Sequence, residues 1–584
     1  MQGFFRRILV IDVTRRTSER VELPESVYRR YLGGKGLGTY LLARYLEKGT
    51  DPLGPSNPLI FATGQGTGLP LWSSARYAVY TKSPATGVYA ESYSGGDVSE
   101  RLVATGYDAI VLTGAADAPI IIEVDGDEVK FHDGRPLWGL GVYQAEAELE
   151  KNLGGGVVTI GPAGENLVGC ALIANNRWRC AGRTGVGAVL GSKRVKGIVF
   201  KGSQKKPCYD EARLEGLRSE MLHQYKDAPV TQNFKNFGTP VMVEVVNSFG
   251  GFPTKYWESG VLPGWDKISG QTLREVYQAK PHACPKCFVG CGKMFEVKSG
   301  RHKGLRIEGP EYETIYAFGG LCVIDDLEEI AYLNDICDNL GMDTITAGNL
   351  VSFTIEAGRR GKISKKIAFG DVDGVAELLH AIARREGIGD VLARGIRHAA
   401  REWGLEELAV HVKGLEPAGY DPRAFNGMGL AYATSPRGAC HLRSTFYRAE
   451  VAGLVDKNDP EKMSEVFTDF EGRLVLMDTF ILCRFYRDFV TWESMAETLN
   501  AITGWDTMAA ELKGTADRII TLTRKINVGE GVGRKDDMLP RRFFEPLKDS
   551  GKVLDEGLFV RLLDEYYRLR GWTSEGMPQK EEDL

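Results

Sequence analysis

Residues 282–292 read His-Ala-Cys-Pro-Lys-Cys-Phe-Val-Gly-Cys-Gly, and this stretch constrains the fold more than any other part of the sequence. It gathers Cys284, Cys287 and Cys291 in a Cys-x2-Cys-x3-Cys pattern, whereas the other cysteines are scattered along the 584 residues. Closely spaced thiolates are typical of a metal site, and iron–sulfur clusters often take a fourth thiolate from a distant part of the chain. The stretch therefore predicts a fold that brings a remote residue to a metal centre.

Two kinds of metal site remain open on spacing alone. Structural zinc would take His282 or His302 as its fourth ligand, but such sites usually pair two Cys-x2-Cys units, and this chain has no second one. An iron–sulfur cluster would use one more thiolate. Because a lone cysteine is usually a small buried apolar residue, spacing does not choose among the candidates, which are Cys170, Cys180, Cys208, Cys322, Cys337, Cys440 and Cys483.

The composition is that of a large globular protein. Hydrophobic residues make up 43% and charged residues 26% of the chain, enough for several cores and roughly three to four domains. The net charge of −5 gives no basic footprint for nucleic acid. No apolar run approaches the roughly 20 residues of a membrane span, and the short run near the N-terminus is interrupted by Asp12. We predict a cytoplasmic protein with no membrane span and no nucleic-acid partner.

The hydrophobic pattern of the sequence changes from strand-like to helix-like near Pro207. Before it, short β-branched runs separated by turn residues predict strands at 8–13, 59–63, 77–81, 109–113, 119–124, 157–160 and 198–201, with helices at 28–45 and 142–149. After it, amphipathic patterns predict helices at 210–225, 327–340, 375–385, 389–403, 460–484, 492–502 and 558–569. We predict an α+β protein with a β-rich N-terminal platform domain (1–208) and two mainly helical domains (209–410 and 411–584). The tail 578–584 is predicted to be disordered.

Two aspartate motifs lie in the helical part. The helix from Leu327 should end at Asp338-Asn-Leu-Gly341-Met-Asp343, because Gly341 is a natural C-cap. The helix dipole disfavours an anion at Asp338, so this residue is either an ordinary solvated carboxylate or one that accepts paired N–H groups such as those of a pterin ring. The second motif, Asp478-Thr-Phe-Ile-Leu-Cys483, lies in an apolar run, so we expect Asp478 to be buried and to need a partner.

Glycine-rich loops form a third kind of motif. The segment 182–193, which begins Gly-Arg-Thr-Gly-Val-Gly, and the segment 92–97, Ser-Tyr-Ser-Gly-Gly-Asp, allow close backbone approach and could hold a phosphate. Neither matches a Walker motif or a dinucleotide fingerprint. Each one alone is more often a tight turn.

In this order, the motifs resemble the aldehyde ferredoxin oxidoreductase family of tungsten enzymes. The resemblance runs nearly end to end and includes residues 51–64, 106–110, 161–166, 182–193, 309–314, 338–343, 435–441, 478–483, 536–541 and 566–572. It implies oxidation of aldehydes to carboxylic acids by a tungsten or molybdenum bis-pterin cofactor buried between the domains. It also implies one 4Fe-4S cluster that passes electrons to ferredoxin or to a ferredoxin-like iron–sulfur subunit, and an oligomeric enzyme.

The resemblance also implies a set of site residues. The cluster ligands would be Cys284, Cys287, Cys291 and Cys483. The pterins would be held by Asp338, Gly341, Asp343, Asp478 and Leu482, with Arg76 between pterin and cluster. The cofactor phosphates, bridged by Mg²⁺, would lie on the loops with Ser94, Gly95, Gly96, Gly182, Arg183 and Gly185. Glu313 would take the substrate proton, and His441 would polarise the carbonyl.

Two departures keep alternatives open. Ile481 stands where the family often has glycine, so we expect the backbone approach there to differ. Cys322 could approach the metal, as a cysteine does in the benzoyl-CoA-reducing branch, or could be a packed core residue. The rival functions are therefore a benzoyl-CoA reductase-type tungsten subunit and, from another class, a zinc-stabilised assembly protein without redox chemistry.

Overall fold

A computed structural model of the chain describes residues 1–456 and 459–579. In this part of the chain, strands form two six-stranded sheets and a three-stranded sheet. The strands are β1 (Arg7–Asp12), β2 (Thr17–Glu22), β3 (Leu59–Ala62), β4 (Arg76–Lys82), β5 (Tyr89–Gly95), β6 (Ala109–Thr113), β7 (Ile120–Asp125), β8 (Glu128–Asp133), β9 (Gly156–Thr159), β10 (Ile173–Asn175), β11 (Arg179–Ala181), β12 (Val195–Lys201), β13 (Lys280–His282), β14 (Gly292–Glu296) and β15 (Arg306–Glu308).

The two large sheets face each other and make the N-terminal platform. Their strand orders are β2-β1-β6-β3-β4-β5 and β11-β10-β9-β12-β7-β8, and both are mixed, with β1–β6 and β7–β12 parallel. Phe61 of the first sheet and Phe200 of the second lie in one buried cluster, with ring centroids 5.9 Å apart. The opposite face of the first sheet carries Ile60 and Tyr80 into the main core of the molecule. The first sheet is therefore buried on both faces along β3, β4, β5 and β6, whereas its edge strand β2 is exposed.

Helices dominate the rest of the chain. Those associated with the platform are α1 (Glu25–Tyr31), α2 (Gly34–Tyr45), α3 (Val98–Ala104), α4 (Val142–Leu153), α5 (Pro162–Glu165) and α6 (Val186–Ser192). The others are α7 (Glu211–Tyr225), α8 (Pro229–Phe237), α9 (Val241–Ser248), α10 (Gly270–Glu275), α11 (Tyr312–Thr314), α12 (Leu327–Leu340), α13 (Thr344–Arg359), α14 (Val372–Arg384), α15 (Ile388–Ala393), α16 (Ile396–Trp403), α17 (Asn426–Thr434), α18 (Tyr447–Val451), α19 (Pro460–Phe480), α20 (Trp492–Thr503), α21 (Ala509–Gly529) and α22 (Glu556–Arg570). A π-helical segment, Ile315–Gly320, directly follows α11.

This architecture confirms the predicted α+β class and the change from strands to helices after the platform. The domain boundaries near 208 and 410 stay predictions. No helix in the described residues is long and apolar enough to cross a membrane. The tail predicted to be disordered reaches beyond the described part of the chain, because 580–584 lie outside it.

Three predicted helices were too long. The pattern 28–45 is two helices, α1 and α2, because Leu32 adopts a positive φ of 57°. The pattern 389–403 is also two helices, α15 and α16, separated at Gly395 with φ 89°. The pattern 460–484 ends at Phe480, because Ile481 forms a left-handed C-cap with φ 55°. In each case the apolar pattern in the sequence continues past the residue at which a positive φ ends the helix.

Glycines let α2 pack closely against the end of α19. A Cβ on Gly34 would overlap the Thr479 carbonyl oxygen, and one on Gly64 would overlap that of Phe480. On the other side of α2, a Cβ on Gly38 would overlap the Tyr80 ring. The glycine-rich start of α2 therefore fixes the end of α19, where the second aspartate motif lies, against the platform.

Candidate active site

Two adjoining cavities lie where the platform meets the helices. The first, called here the central cavity, has a volume of about 300 Å³, and the second, the cysteine cavity, about 230 Å³. They share the wall residues Arg76, Tyr93, Cys180, Glu311 and Phe485. Residues from each of the three predicted regions line the central cavity, as expected for a cofactor held between them.

The cysteine cavity collects the four predicted cluster ligands. Cys284, Cys287, Cys291 and Cys483 all line it. Ser73 joins the two segments that carry them, because its N–H donates to the Lys286 carbonyl at 2.8 Å and its carbonyl accepts from the Cys483 N–H at 3.1 Å. Of the remote cysteines left open by sequence, Cys483 and Cys180 line this cavity, and Cys483 is the one placed next to the three-cysteine loop by backbone hydrogen bonds.

The size of the cysteine cavity fits a cluster of several irons. A single zinc ion needs its sulfur ligands at about 2.3 Å, a far smaller space than 230 Å³. Four cysteines are a donor set for a four-iron cluster and also for structural zinc, so the argument for the cluster rests on the space and not on the ligand type.

Arg76 and Gly95 lie where the cavities meet. Arg76 begins β4 and lines both cavities. A Cβ on Gly95 would lie 3.0 Å from the Cys284 sulfur and 3.4 Å from Arg76 Nη1. The absence of a side chain at Gly95 thus leaves room between the cysteine loop and Arg76, a place that fits the expected role of Arg76 between pterin and cluster.

Asp478 is buried, as predicted, and it has two cationic partners that the sequence did not identify. Its Oδ2 accepts from Arg443 Nη1 at 2.6 Å and from Arg484 Nη2 at 2.5 Å. Arg443 also lies 2.9 Å from the fully buried Glu91 carboxylate, which Lys35 contacts at 2.8 Å. Both arginines line the central cavity beside Asp478 and Leu482. Sequence reasoning missed them, although Arg484 directly follows Cys483.

The first aspartate motif has a different environment. Asp338 sits in the last turn of α12, which Gly341 caps in the left-handed conformation, as predicted. Burial, followed by the nearby Asp335, raises the pKa of Asp338 well above its usual range, and its hydrogen-bond partner is the neutral Asn334 at 2.7 Å. A largely buried carboxyl with no cation beside it fits a ligand that brings N–H donors, as a pterin does. Asp343 caps α13 by accepting the Thr346 N–H at 3.0 Å.

Glu313 and His441 meet at the wall of the central cavity. His441 Nε2 lies 3.3 Å from Glu313 Oε1, and the Gly419 N–H donates to Glu313 Oε2 at 3.0 Å. Burial raises the pKa of Glu313 to about 8, whereas burial and the surrounding arginines, Arg183 first, lower that of His441 well below its usual range. Near neutral pH, the Glu313 carboxyl is therefore protonated and His441 is a neutral imidazole.

Glu311 faces the cavities too. It precedes α11 with extended backbone angles, whereas Glu313 lies within α11. Glu311 Oε2 accepts from the Thr239 hydroxyl, and Glu311 lines both cavities, whereas Glu313 lines the central cavity alone. Glu311 therefore lies where the two cavities adjoin, and Glu313 lies in the central cavity.

Other predicted cofactor residues lie behind the cavity walls. Gly182 and Arg183 line the central cavity, but Ser94, Gly96, Gly185, Asp338, Gly341 and Asp343 line neither cavity. The Ser94 hydroxyl donates to Asn175 Oδ1 at 2.6 Å, and Gly185, with φ 75°, precedes α6. Of the glycine loops, Gly182 and Arg183 reach the central cavity and Gly95 reaches the cysteine cavity. The bridging Mg²⁺ stays an expectation.

The structure shows the backbone conformation of Ile481 and the surroundings of Cys322, the two residues at which alternatives were left open. Ile481 takes the left-handed conformation that a C-cap glycine would take, at a cost of about 1–3 kcal/mol for a non-glycine residue. Cys322 is buried, and its thiol packs 3.5 Å from the Ala317 carbonyl and 3.7 Å from that of Gly348. It lines neither cavity, which favours the interpretation as a packed core residue.

Comparison with known proteins finds relatives along nearly the whole chain. The family model of the aldehyde ferredoxin oxidoreductase N-terminal domain matches residues 8–202, and that of domains 2 and 3 matches residues 216–582. The tungsten-containing aldehyde ferredoxin oxidoreductase of Pyrococcus furiosus is 36% identical, covering 100% of this chain and 98% of the relative, and that of Thermococcus kodakarensis is 35% identical with the same coverage.

A solved structure shares the fold. It is the active site complex BamBC of benzoyl coenzyme A reductase with 1,5 dienoyl-CoA, with a TM-score of 0.84, 22% identity, and coverage of 99% of this chain and 96% of that one. At this identity the likeness concerns the fold alone. The family matches and the full-length relatives together show more: the chain is an oxidoreductase that belongs to the aldehyde ferredoxin oxidoreductase family.

Proposed function

We propose that this protein oxidises aldehydes to carboxylic acids in the central cavity and passes the electrons through a 4Fe-4S cluster in the cysteine cavity to ferredoxin or a similar iron–sulfur partner. The observation that carries the proposal is the position of Glu313 and His441, an acid–base pair on the wall of a cavity that shares a wall with the four cysteines. The names of the 36% and 35% identical relatives support the same chemistry.

The residues present fit a tungsten or molybdenum bis-pterin. Asp478 and Leu482 line the central cavity and would lie against one pterin, and Arg76, which lines both cavities, would lie between pterin and cluster. We assign Asp338 to the other pterin from the family resemblance, since it lines neither cavity. When bound, this cofactor supplies a Lewis acid and a two-electron acceptor. The overall reaction adds a water oxygen to the aldehyde carbon and releases two protons and two electrons with the carboxylic acid.

The chain's own residues handle the protons. Glu313 accepts a proton at Oε1 while the Gly419 N–H holds Oε2 in place. His441 stays neutral and can donate a hydrogen bond to the substrate carbonyl oxygen, and Tyr420, whose ring lies 5.6 Å from that of His441, limits how the imidazole can turn. Because Glu313 is protonated below a pKa of about 8, catalysis by the carboxylate should rise with pH through that value.

A paired assay tests the function. Protein purified without oxygen should reduce a viologen dye when benzaldehyde is added, and it should be inactive when a reduced dye is offered with benzoyl-CoA. Dye oxidation with benzoyl-CoA, together with no response to benzaldehyde, would place the enzyme with the benzoyl-CoA reductases instead. A colourless protein that contains zinc and is inactive in both assays would favour the assembly-protein alternative.

A further inference from the structure

We propose that Arg183 is a positioning residue that clamps together the two loops holding Glu313 and His441, and that this, rather than binding of cofactor phosphate, is its main contribution. The proposal rests on the proposed function, in which Glu313 and His441 act on the aldehyde. Sequence and family resemblance suggested only a phosphate-binding loop around Arg183.

The guanidinium joins two separate loops. Arg183 Nη1 donates to the Ala439 carbonyl at 3.1 Å, two residues before His441. Nη2 donates to the Glu416 carbonyl, three residues before Gly419, whose N–H holds Glu313. A planar guanidinium presents these donors in a rigid fork, so a single side chain fixes the distance between the loop with the imidazole and the loop that orients the carboxylate.

The clamp itself is anchored to the start of α13. Arg183 Nε lies 3.5 Å from Asp343 Oδ2, and Nη2 lies 4.0 Å from Glu416 Oε2. Asp343 accepts the Thr346 N–H at 3.0 Å, and the Thr346 hydroxyl donates to Glu416 Oε2 at 2.9 Å. Both anchoring carboxylates are thus tied to one helical residue, and the Arg183 side chain is only 6% exposed.

The charge of Arg183 acts on both members of the pair. It lowers the pKa of His441, together with Arg437, Arg443 and Arg487, after the larger effect of burial. It also opposes the rise in the pKa of Glu313, as the Gly419 N–H does, while burial and the nearby Cys440 and Asp343 raise that pKa. Among the described residues, Glu313 also interacts with His441 and with the tyrosines Tyr312, Tyr316, Tyr420 and Tyr432.

Two substitutions separate geometry from charge. Arg183→Met removes both the fork and the charge, whereas Arg183→Lys keeps the charge but cannot span two carbonyl groups. Because displacement of a catalytic group by about 1 Å can cost about 100-fold in rate, we expect both variants to lose kcat on that order, with a smaller change in KM. Tungsten and iron contents should match those of the wild type.

The pH profile of kcat/KM with benzaldehyde supplies the second readout. The wild type should show an acidic limb near pH 8, set by Glu313. In Arg183→Met this limb should move to higher pH, because a cation that favours the carboxylate is gone, and part of the lost activity should return in alkaline buffer. In Arg183→Lys the limb should stay in place although kcat is low.

A matched control is Arg524→Lys. Arg524 is also buried, donates to the Gly576 carbonyl and pairs with Asp537, but it lines neither the central nor the cysteine cavity. The Arg524→Lys variant should leave kcat and the acidic limb of the pH profile unchanged. A loss of tungsten from Arg183→Met in proportion to its activity would overturn the proposal, because Arg183 would then hold the cofactor.

Near wild-type kcat in both Arg183 variants would also overturn it, because the two loops would then hold Glu313 and His441 in place without the guanidinium. Failure of the proposed function looks different, because the wild type itself would then lack aldehyde oxidation or Glu313→Gln would remain active.

Discussion

Glu313 shows how burial turns an ordinary carboxyl into a useful base. Its side chain is 18% exposed, it faces a cavity rather than bulk solvent, and its Oε1 lies 3.3 Å from Nε2 of the neutral His441 imidazole. Desolvation raises its pKa to about 8, which brings the group close to the pH at which proton transfer in both directions is efficient. Glu311, two residues earlier, faces the cysteine cavity as well and accepts from Thr239.

Replacing Glu313 by glutamine tests this role. In Glu313→Gln with full tungsten and iron content, turnover of benzaldehyde should fall by about 100- to 10,000-fold, because the general base is lost. Glu311→Gln is the comparison and should be far milder. Near wild-type turnover in fully loaded Glu313→Gln would leave His441 as the sole candidate for proton transfer.

Sequence reasoning at this scale found single residues but not their partners. That Asp478 is buried and needs a partner followed from the apolar run around it and is confirmed. That the partners are Arg443 and Arg484 did not follow, because Arg443 is 35 residues away along the chain. The same holds for Gly419, which reaches Glu313 across 106 residues. Pairings of this kind depend on tertiary structure rather than on local pattern.

At the scale of elements, the end of α19 is the critical junction. The helix ends at Phe480, Ile481 reverses the backbone, and Cys483 lies in extended conformation directly afterwards. The prediction of a helix over 460–484, which would have included Cys483, was therefore wrong at its C-terminal end. The turn at Ile481 separates Asp478 from Cys483, so that Asp478 faces the central cavity and Cys483 the cysteine cavity.

Loss of the Cys483 thiol should affect the cluster alone. Cys483→Ala should lose iron or convert the cluster, because one of four thiolates is missing. Cys170→Ala is the control, since Cys170 is buried but lines neither cavity. Iron content and the visible spectrum measure the outcome, and an unchanged iron count and spectrum in Cys483→Ala would refute the assignment.

Close packing of α2 against α19 makes a stability prediction. Gly34 has φ 43°, and a Cβ there would overlap the Thr479 carbonyl. We expect Gly34→Ala to cost about 1–3 kcal/mol, because the backbone must shift. Gly514 in α21 has open space around it, so Gly514→Ala should instead stabilise by about 0.5–1 kcal/mol. Thermal unfolding midpoints check both, and equal midpoints for the two variants would contradict the packing argument.

Amphipathic patterns predicted some helices and missed others. The helix α12 was predicted from Leu327 to Leu340, as observed. The helix α13 was missed because nearly all of it is buried, from Ile345 to Ala357, so it lacks an alternating polar face. The predicted runs found β1, β3, β4, β6, β7, β9 and β12 of the platform to within a few residues. They missed its strands β2, β5, β8, β10 and β11 and the short three-stranded sheet around the cysteine loop, β13 to β15.

At the scale of the whole molecule, the platform and the helical regions enclose two cavities that share a wall. Composition and periodicity indicated the fold class, and the cysteine spacing indicated a metal centre. Neither could show that Cys483, rather than another remote cysteine, lines the cysteine cavity, or that Glu313 and His441 meet. Those contacts arise only when α19, the platform and the loops around Gly419 and His441 pack together.

Metal content measured on the intact protein tests this account most directly. Elemental analysis of protein purified without oxygen from cells supplied with tungstate and molybdate should give about four Fe and one W or Mo per chain, as expected for one four-iron cluster held by four thiolates beside one bis-pterin metal. Stoichiometric zinc without tungsten or molybdenum, in a preparation that oxidises benzaldehyde, would contradict it.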